Sequence, residues 1–270
     1  ALTLPQDSEA SLFSAAYLPY APAPAYRLPM KSPDAALFVT CLADLMRPEV
    51  GFASAALIER AGFTVVVPRQ GCCGQPNYNA GDKKGAQELA RAAIKALEPY
   101  DTIVVPSGSC GGMIAKHYPY LFDEGDPWHA RAVAVASRTL ELTQFLARHP
   151  LPDAPKRAAG KIAYHDSCSG LREMGIHAEP RALIAAHTTA EIVPIADAES
   201  CCGFGGLFCV KYPEISARMA REKTAAIAAS GADTLVAGDL GCLLNLGGTL
   251  QREGSPIAVR HIAEFLAGEP

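Results

Sequence analysis

The sequence predicts an α/β protein of two pseudo-symmetric, Rossmann-like units, each a parallel sheet flanked by helices, with cysteines gathered at the carboxyl ends of the strands. Three observations carry that reading. Short apolar runs alternate with stretches of helical periodicity, the pattern of strands and crossover helices in a parallel sheet. Eight of the nine cysteines recur in order: Cys41, Cys72, Cys73 and Cys110 reappear as Cys168, Cys201, Cys202 and Cys242, after 127, 129, 129 and 132 residues. Finally, Asp101-Thr102-Ile103-Val104 stands before Cys110 at the same spacing as Asp233-Thr234-Leu235-Val236 before Cys242, which marks an internal duplication.

Residues 1–34 lie outside the repeat. They are rich in proline, as in Pro19-Tyr20-Ala21-Pro22-Ala23-Pro24, and are read as an extended arm. Met30-Lys31 stands just before the first strand while the chain begins at Ala1, so residues 1–29 are expected to be an upstream extension or a non-native remnant. The first unit, 35–155, opens with a strand over 35–40, a helix over 49–61 and a strand over 63–67. A helix over 82–98 follows, with Ala86, Leu89, Ala90, Ala93, Ile94 and Leu97 on one face, then a strand over 101–105. A long helix at about 130–148, with Val135, Leu142, Phe145 and Leu146 on one side, is expected to bridge the halves. Pro150 and Pro152-Asp153-Ala154-Pro155 end it and form the linker. The second unit, 156–270, reads as a strand over 161–165, a helix over 179–187, a strand near 190–194, a helix over 213–229 and a strand over 233–237.

Composition narrows the function. With 270 residues, 49% hydrophobic and 19% charged, the chain buries an ordinary globular core. Lys+Arg 24 against Asp+Glu 28 gives a net charge of −4 without a basic stripe, so nothing electrostatic favours nucleic acid or an anionic membrane. No apolar stretch approaches the ~20 residues of a membrane helix. Residues 1–30 carry no basic start followed by an apolar segment, so a cytoplasmic location is expected, where cysteines serve as metal ligands, redox groups or buried hydrophobes rather than as a disulfide framework.

Each unit reads Cys, about thirty residues, Cys-Cys-Gly, nearly forty residues, Cys. In the alternating strand–helix reading all four thiols fall at one end of the sheet, the number that an iron–sulfur cluster or a four-thiolate zinc site requires. Gly71, Gly74, Gly203, Gly205 and Gly206 around the paired cysteines, and Gly108, Gly111 and Gly112 around Cys110, give the backbone room to wrap a bulky ligand. A helix starting after Cys110 would add partial positive charge. Structural zinc sites space their cysteines by two to four residues, and adjacent cysteines do not fit that pattern. The cluster is the favoured occupant and zinc the alternative.

These duplicated units resemble the cysteine-rich CCG domains of the heterodisulfide reductase B subunit, the glycolate oxidase iron–sulfur subunit and the lactate utilisation protein A family. The resemblance covers roughly 35–268. Within that group, Phe38-Val39-Thr40-Cys41-Leu42-Ala43-Asp44-Leu45-Met46-Arg47-Pro48-Glu49-Val50-Gly51, Gly71-Cys72-Cys73-Gly74-Gln75-Pro76 and Tyr164-His165-Asp166-Ser167-Cys168 are most similar to lactate utilisation protein A. The resemblance implies an iron–sulfur, electron-transferring subunit of a cytoplasmic system that oxidises L-lactate to pyruvate, working with a ferredoxin-like iron–sulfur subunit and a third subunit. The need for partners agrees with the absence of a Gly-x-Gly-x-x-Gly nucleotide fingerprint. Heterodisulfide reductase B subunits carry a fifth cysteine in each unit, where this chain has Met113 and Asn245. That departure favours one or two ordinary [4Fe–4S] clusters over a disulfide-cleaving centre. A thiol or disulfide oxidoreductase is the first rival function, and a zinc-held, non-redox interaction module the second.

Three further residues are weaker candidates for catalysis. Arg172 and Arg47 offer forks for a substrate carboxylate. His165, three residues before Cys168, is suited to accept a substrate proton or to tune the cluster. Each also has a plain structural reading, as a hydrogen-bonding neighbour or, for Arg47-Pro48-Glu49, as a helix start. Cys209, seven residues after Cys202, is expected to be a buried structural thiol, with an added ligand of the second unit as the alternative.

Overall fold

The computed structural model describes residues 32–268, so the arm expected before the first strand lies outside the described residues but for its last three positions. Four strands form the first sheet: β1 (Asp34–Leu37), β2 (Thr64–Val66), β3 (Ile103–Val105) and β4 (Thr139–Glu141). Four more form the second: β5 (Lys161–His165), β6 (Glu191–Val193), β7 (Thr234–Ala237) and β8 (Ala258–His261). The orders are β2-β1-β3-β4 and β6-β5-β7-β8, one topology used twice. Every pairing is parallel. Leu37 stands opposite Val104 and His165 opposite Ala237, so equivalent strands end level with one another.

Local chemistry explains the helices that hold these sheets. The helix Lys83–Leu97 starts where the Asp82 carboxylate accepts the Gly85 N–H at 3.0 Å, one of the donors a helix start leaves unpaired. It buries Ala86, Ala90, Ala93, Ile94 and Leu97, the face that the periodicity marks. Burying side chains the size of Ile94 and Leu97 contributes about 1.5–3 kcal/mol each.

The expected long helix over 130–148 is not continuous. Pro127–Ser137 and Leu142–Arg148 are separate helices with β4 between them. The Arg138 carbonyl takes the Ile103 N–H instead of continuing the helix, and the Glu141 carboxylate caps the next one by accepting from Thr143 N at 2.7 Å. Apolar residues at helical spacing on both sides of a three-residue strand imitate one uninterrupted face. The same device recurs at β8, which the sequence reading does not contain: His261 Nδ1 accepts the Ala263 N–H at 3.1 Å and starts the helix Ile262–Ala267. Both starts are capping boxes, completed by Gln144 and Glu264.

One hydrophobic cluster joins the two sheets. Leu57, Val104, Phe145 and Leu146 from the first half share it with Ile162, Tyr164, Val236, Ile262 and Leu266 from the second. The outer face of each sheet has a cluster of its own. Cys73 lies in the first and Cys202 and Cys242 in the second, so the paired cysteines are anchored in core rather than in loose loop.

Candidate metal centres

In each half the strand ends deliver four thiols. Cys41 is the first residue of the helix Cys41–Met46, four positions past β1. Thr40 before it holds φ at 60°, a rare value for a residue with a Cβ, and its hydroxyl oxygen accepts the Ala43 N–H at 3.3 Å. Cys72 and Cys73 follow β2 and are turned by Gly74, at φ 86°. Cys110 lies inside the short helix Gly108–Gly112 rather than ahead of a helix, and its N–H is capped by Ser107 Oγ at 3.2 Å. The second half repeats this: Cys168 follows β5, Cys201 and Cys202 precede Gly203 at φ 83°, and Cys242 sits in the first turn of the helix Leu240–Arg252, capped by Asp239.

The thiols of each half touch in a chain. In the first, Cys41 donates to Cys72, Cys72 neighbours Cys73, and Cys73 Sγ lies 3.3 Å from Cys110 Sγ. In the second, Cys168 donates to Cys201, Cys201 neighbours Cys202, and Cys202 Sγ lies 2.9 Å from Cys242 Sγ. No cysteine among the described residues is in a disulfide. Each set lines its own cleft, of about 160 Å³ for the first and 180 Å³ for the second. Gln75, Ser109, Phe204, Gly206 and Asp239 line both clefts, so a thin shared wall separates them.

Electrostatics define what such a cluster of thiols requires. Cys72 is drawn down to about 2 because Cys41 and Cys73 donate to it, helped by the Gly74 N–H at 3.4 Å. The cost falls on the donors: hydrogen bonding to Cys72, then burial, pushes Cys41 far up, and hydrogen bonding to Cys110 and Cys72 does the same to Cys73. In the second set Cys168 is pushed up by donating to Cys201. There the hydrogen bond from Cys202 pulls Cys242 down, but burial and the charges of Asp239 and the neighbouring thiols outweigh it and leave it at about 11. Without a cation, then, each set holds mutually inhibiting thiols. A bound metal ion or cluster is what lets four adjacent sulfurs be thiolates together. The donor set therefore fits a thiolate-bound metal group, and the N–H groups of Gly74, Gly203 and Phe204, 3.4–3.5 Å from sulfur, fit it too.

The other sequence candidates fall into different places. His165 ends β5 and is 1% exposed; burial, then the Lys223 charge, lowers it to about 4, so it is neutral at pH 7. Arg47 Nε donates to Glu264 at 2.7 Å and its Nη2 to the Val259 carbonyl at 3.1 Å, which ties the first half to β8. Arg172 Nη2 donates to the Glu199 carbonyl at 3.0 Å. Neither arginine is among the residues lining the two cysteine clefts. Cys209, expected to be buried, is only half-buried; it donates to the Gly206 carbonyl at 3.5 Å, outside the thiol chain. Met113 is fully buried in core, and Asn245 Nδ2 donates to the Cys202 carbonyl at 2.8 Å, so both positions serve packing and loop support.

Sequence reasoning missed two groups. Asp239 Oδ2 accepts from Ser107 Oγ at 3.1 Å and from Ser109 N at 2.9 Å, joining the cap of one cysteine helix to the cap of the other. The signal was present as Ser107-x2-Cys110 and Asp239-x2-Cys242. His117 Nε2 and Glu173 Oε2, 3.1 Å apart, face each other from π-helical turns at Met113–His117 and Ser169–Glu173 and line the second cleft. Nothing in their local sequence marks them.

The comparisons agree with this duplication of site and sheet. The family model described as CCG, cysteine-rich domain, matches residues 35–115 and again 162–247. Lactate utilization protein A of Anoxybacillus flavithermus is 46% identical over 232 residues, which are 85% of this chain and 97% of that protein. The chain belongs to the lactate utilisation protein A family. Its namesakes in Exiguobacterium sp. and Geobacillus kaustophilus are 44% and 46% identical, over 87% and 85% of this chain and 97% of each relative. The alignments to these lactate utilisation proteins span nearly their whole length. Among the described residues no helix is long and apolar enough to cross a membrane.

Proposed function

We propose that each cysteine set holds an iron–sulfur cluster and that the protein is the electron-transfer subunit of a cytoplasmic, multi-protein system oxidising L-lactate to pyruvate. Cys41, Cys72, Cys73 and Cys110 would hold one [4Fe–4S] cluster, and Cys168, Cys201, Cys202 and Cys242 the other. The observation that carries the reading is the pair of four-thiol sets, each lining a cleft at one end of a parallel sheet, in a chain of the lactate utilisation protein A family. Such a group, when bound, supplies one-electron chemistry.

The chain's own residues support that role in three ways. Backbone N–H groups of Gly74, Gly203 and Phe204 point at sulfurs and stabilise thiolate charge. The two clefts share a wall of five residues, which keeps the sets close. Apolar side chains stand exposed beside both: Leu45 and Val67 near Cys41, and Tyr212 near the Cys201 loop. Exposed apolar patches of this kind mark protein contacts, as expected if a ferredoxin-like subunit and a third subunit dock there. Carboxylate binding by Arg47 or Arg172 would require each to leave the carbonyl or carboxylate it now holds, so lactate itself is better placed on a partner.

Metal and acid-labile sulfide per chain, in protein prepared without oxygen, test the reading. About eight iron and eight sulfide are expected, with visible absorption that bleaches on reduction. Zinc without sulfide would overturn it in favour of the zinc-held module. Disulfide reduction by the isolated chain, without lactate-dependent reduction in the presence of its partners, would favour the thiol oxidoreductase.

A further inference from the structure

The two cysteine sets are not chemically equal, and the difference lies at the last residue of β5. His165 is 1% exposed, and neither of its ring nitrogens has a hydrogen-bond partner. A buried imidazole without partners is costly, so its surroundings have to supply something it can bind. The nearby charged groups are already engaged. Asp166 holds the Arg181 guanidinium at 2.7 and 2.9 Å, and Lys223 donates to the Asp197 and Ala198 carbonyls. What remains beside the ring is sulfur. The donor atoms of His165, Cys202 and Cys242 all lie within 4.8 Å of one another.

The first half shows that the fold does not need an imidazole at this place. Counting back three residues from Cys41, as from Cys168, gives Phe38, which is fully buried in an apolar cluster. A phenyl ring fills the strand end there with no polar atom to satisfy. In the second half the same place carries a nitrogen donor, and it faces two of the thiols. In a [4Fe–4S] cluster each iron takes a single protein ligand, so His165, Cys202 and Cys242, whose donor atoms already lie within 4.8 Å of one another, would each reach a different iron of the same cluster.

We infer that His165 is a nitrogen ligand of the cluster held by the second cysteine set, beside Cys201, Cys202 and Cys242 and in place of Cys168, the one exposed thiol of that set, and that the first set is ligated by thiolates alone. The inference rests on the iron–sulfur reading above. A neutral imidazole donates less electron density to iron than an anionic thiolate does, and replacing thiolate by histidine raises the potential of iron–sulfur centres, as in the Rieske type. The second centre is then the more easily reduced of the two, and an electron entering at the first set comes to rest at the second.

The test uses the full chain, prepared without oxygen from cells fed 15N-histidine or histidine of natural abundance, with iron and sulfide counted first. Pulsed EPR of the reduced protein is expected to show a directly bonded histidine nitrogen whose coupling changes with the isotope. That coupling is expected to vanish in His165→Phe, the side chain that the first half already accommodates, and to persist in His117→Gln. A redox titration followed by visible bleaching gives a second readout: in His165→Phe one reduction step moves to lower potential while the other stays in place. Full iron and sulfide with no bonded histidine nitrogen in the wild-type protein, or a coupling that survives His165→Phe, overturns the ligand assignment and leaves the iron–sulfur reading standing. Protein without iron or sulfide overturns both.

Discussion

Cys72 and Cys201 occupy the same place in their respective halves, each accepting from the thiol that follows the neighbouring strand. Replacing either by serine is expected to remove the iron of one set, about half the total, and to leave the other set loaded. Cys209→Ser, outside both thiol chains, is expected to leave the metal content unchanged. Iron analysis of the three variants checks this, and equal loss from all three would refute the ligand sets. A second residue-scale expectation concerns His261. It caps the helix Ile262–Ala267 through an unprotonated Nδ1, and burial, then the Arg47 charge, lowers it to about 4. The unfolded chain binds this proton near pH 6.5 and the folded chain only near 4, so the His261 contribution is whole above pH 6.5 and is lost as pH falls toward 4. Between pH 7 and 5 it amounts to about 2 kcal/mol. His261→Asn keeps a capping side chain without the titration. Its stability in urea is therefore expected to fall by about 2 kcal/mol less than that of the wild type over that interval. His165, lowered like His261, and Glu141, which burial pushes up to about 7 and which acts in the opposite direction, titrate alike in both proteins and cancel. The eight cysteines were legible because their order and spacing repeat. The occupied state of Arg47 was not, because Glu264 and Val259 lie more than two hundred residues away in the chain.

At the scale of elements, the Cys-Cys-Gly turn is the part that tolerates least. Gly74 and Gly203 both hold a left-handed φ, at 86° and 83°, where a Cβ costs roughly 1–2 kcal/mol. Their surroundings differ. A Cβ at Gly74 would sit 3.3 Å from the Ala86 carbonyl, whereas at Gly203 it would come within 2.7 Å of the Ser216 carbonyl. Gly203→Ala is therefore expected to lower the thermal midpoint more than Gly74→Ala, with selective loss of metal from the second set. Thermal melts paired with metal analysis read both effects. Most elements were readable because each presents one clear period: alanines and leucines every third or fourth residue over 83–97, and β-branched runs at 64–66 and 103–105. β4 and β8 were hidden for the opposite reason. Thr139–Glu141 is too short to show alternation and is flanked by apolar helical faces, and both strands are ended by a capping side chain, Glu141 or His261, that reads as an ordinary polar residue.

Across the whole molecule, the halves are joined by a common hydrophobic cluster and by polar contacts, one of which is a seam between the two cysteine helices. The seam is where Asp239 takes the Ser107 hydroxyl and the Ser109 N–H while capping Gly241 with its other oxygen. Asp239→Ala removes all three bonds and is expected to cost about 2–3 kcal/mol of stability. It is also expected to lower the metal content of both sets, because the loop of Cys110 and the helix of Cys242 lean on the same carboxylate. Ser107→Ala, losing one bond to a charged group and one cap, is expected to cost less; denaturant titration and iron content separate the two. Two-fold repetition was plain in the sequence, but which residues meet across it was not, since a contact between repeats has no spacing of its own to betray it. Ser107 and Asp239 stand at matching places in the two halves, three residues before Cys110 and Cys242, and they bond to each other. Were one half to pair with an identical copy about a true two-fold axis, that position would meet itself. Two carboxylates would repel there and two hydroxyls would bind weakly. Joining the copies in one chain releases this position from having to be its own partner, and a donor faces an acceptor where symmetry would have forbidden the choice.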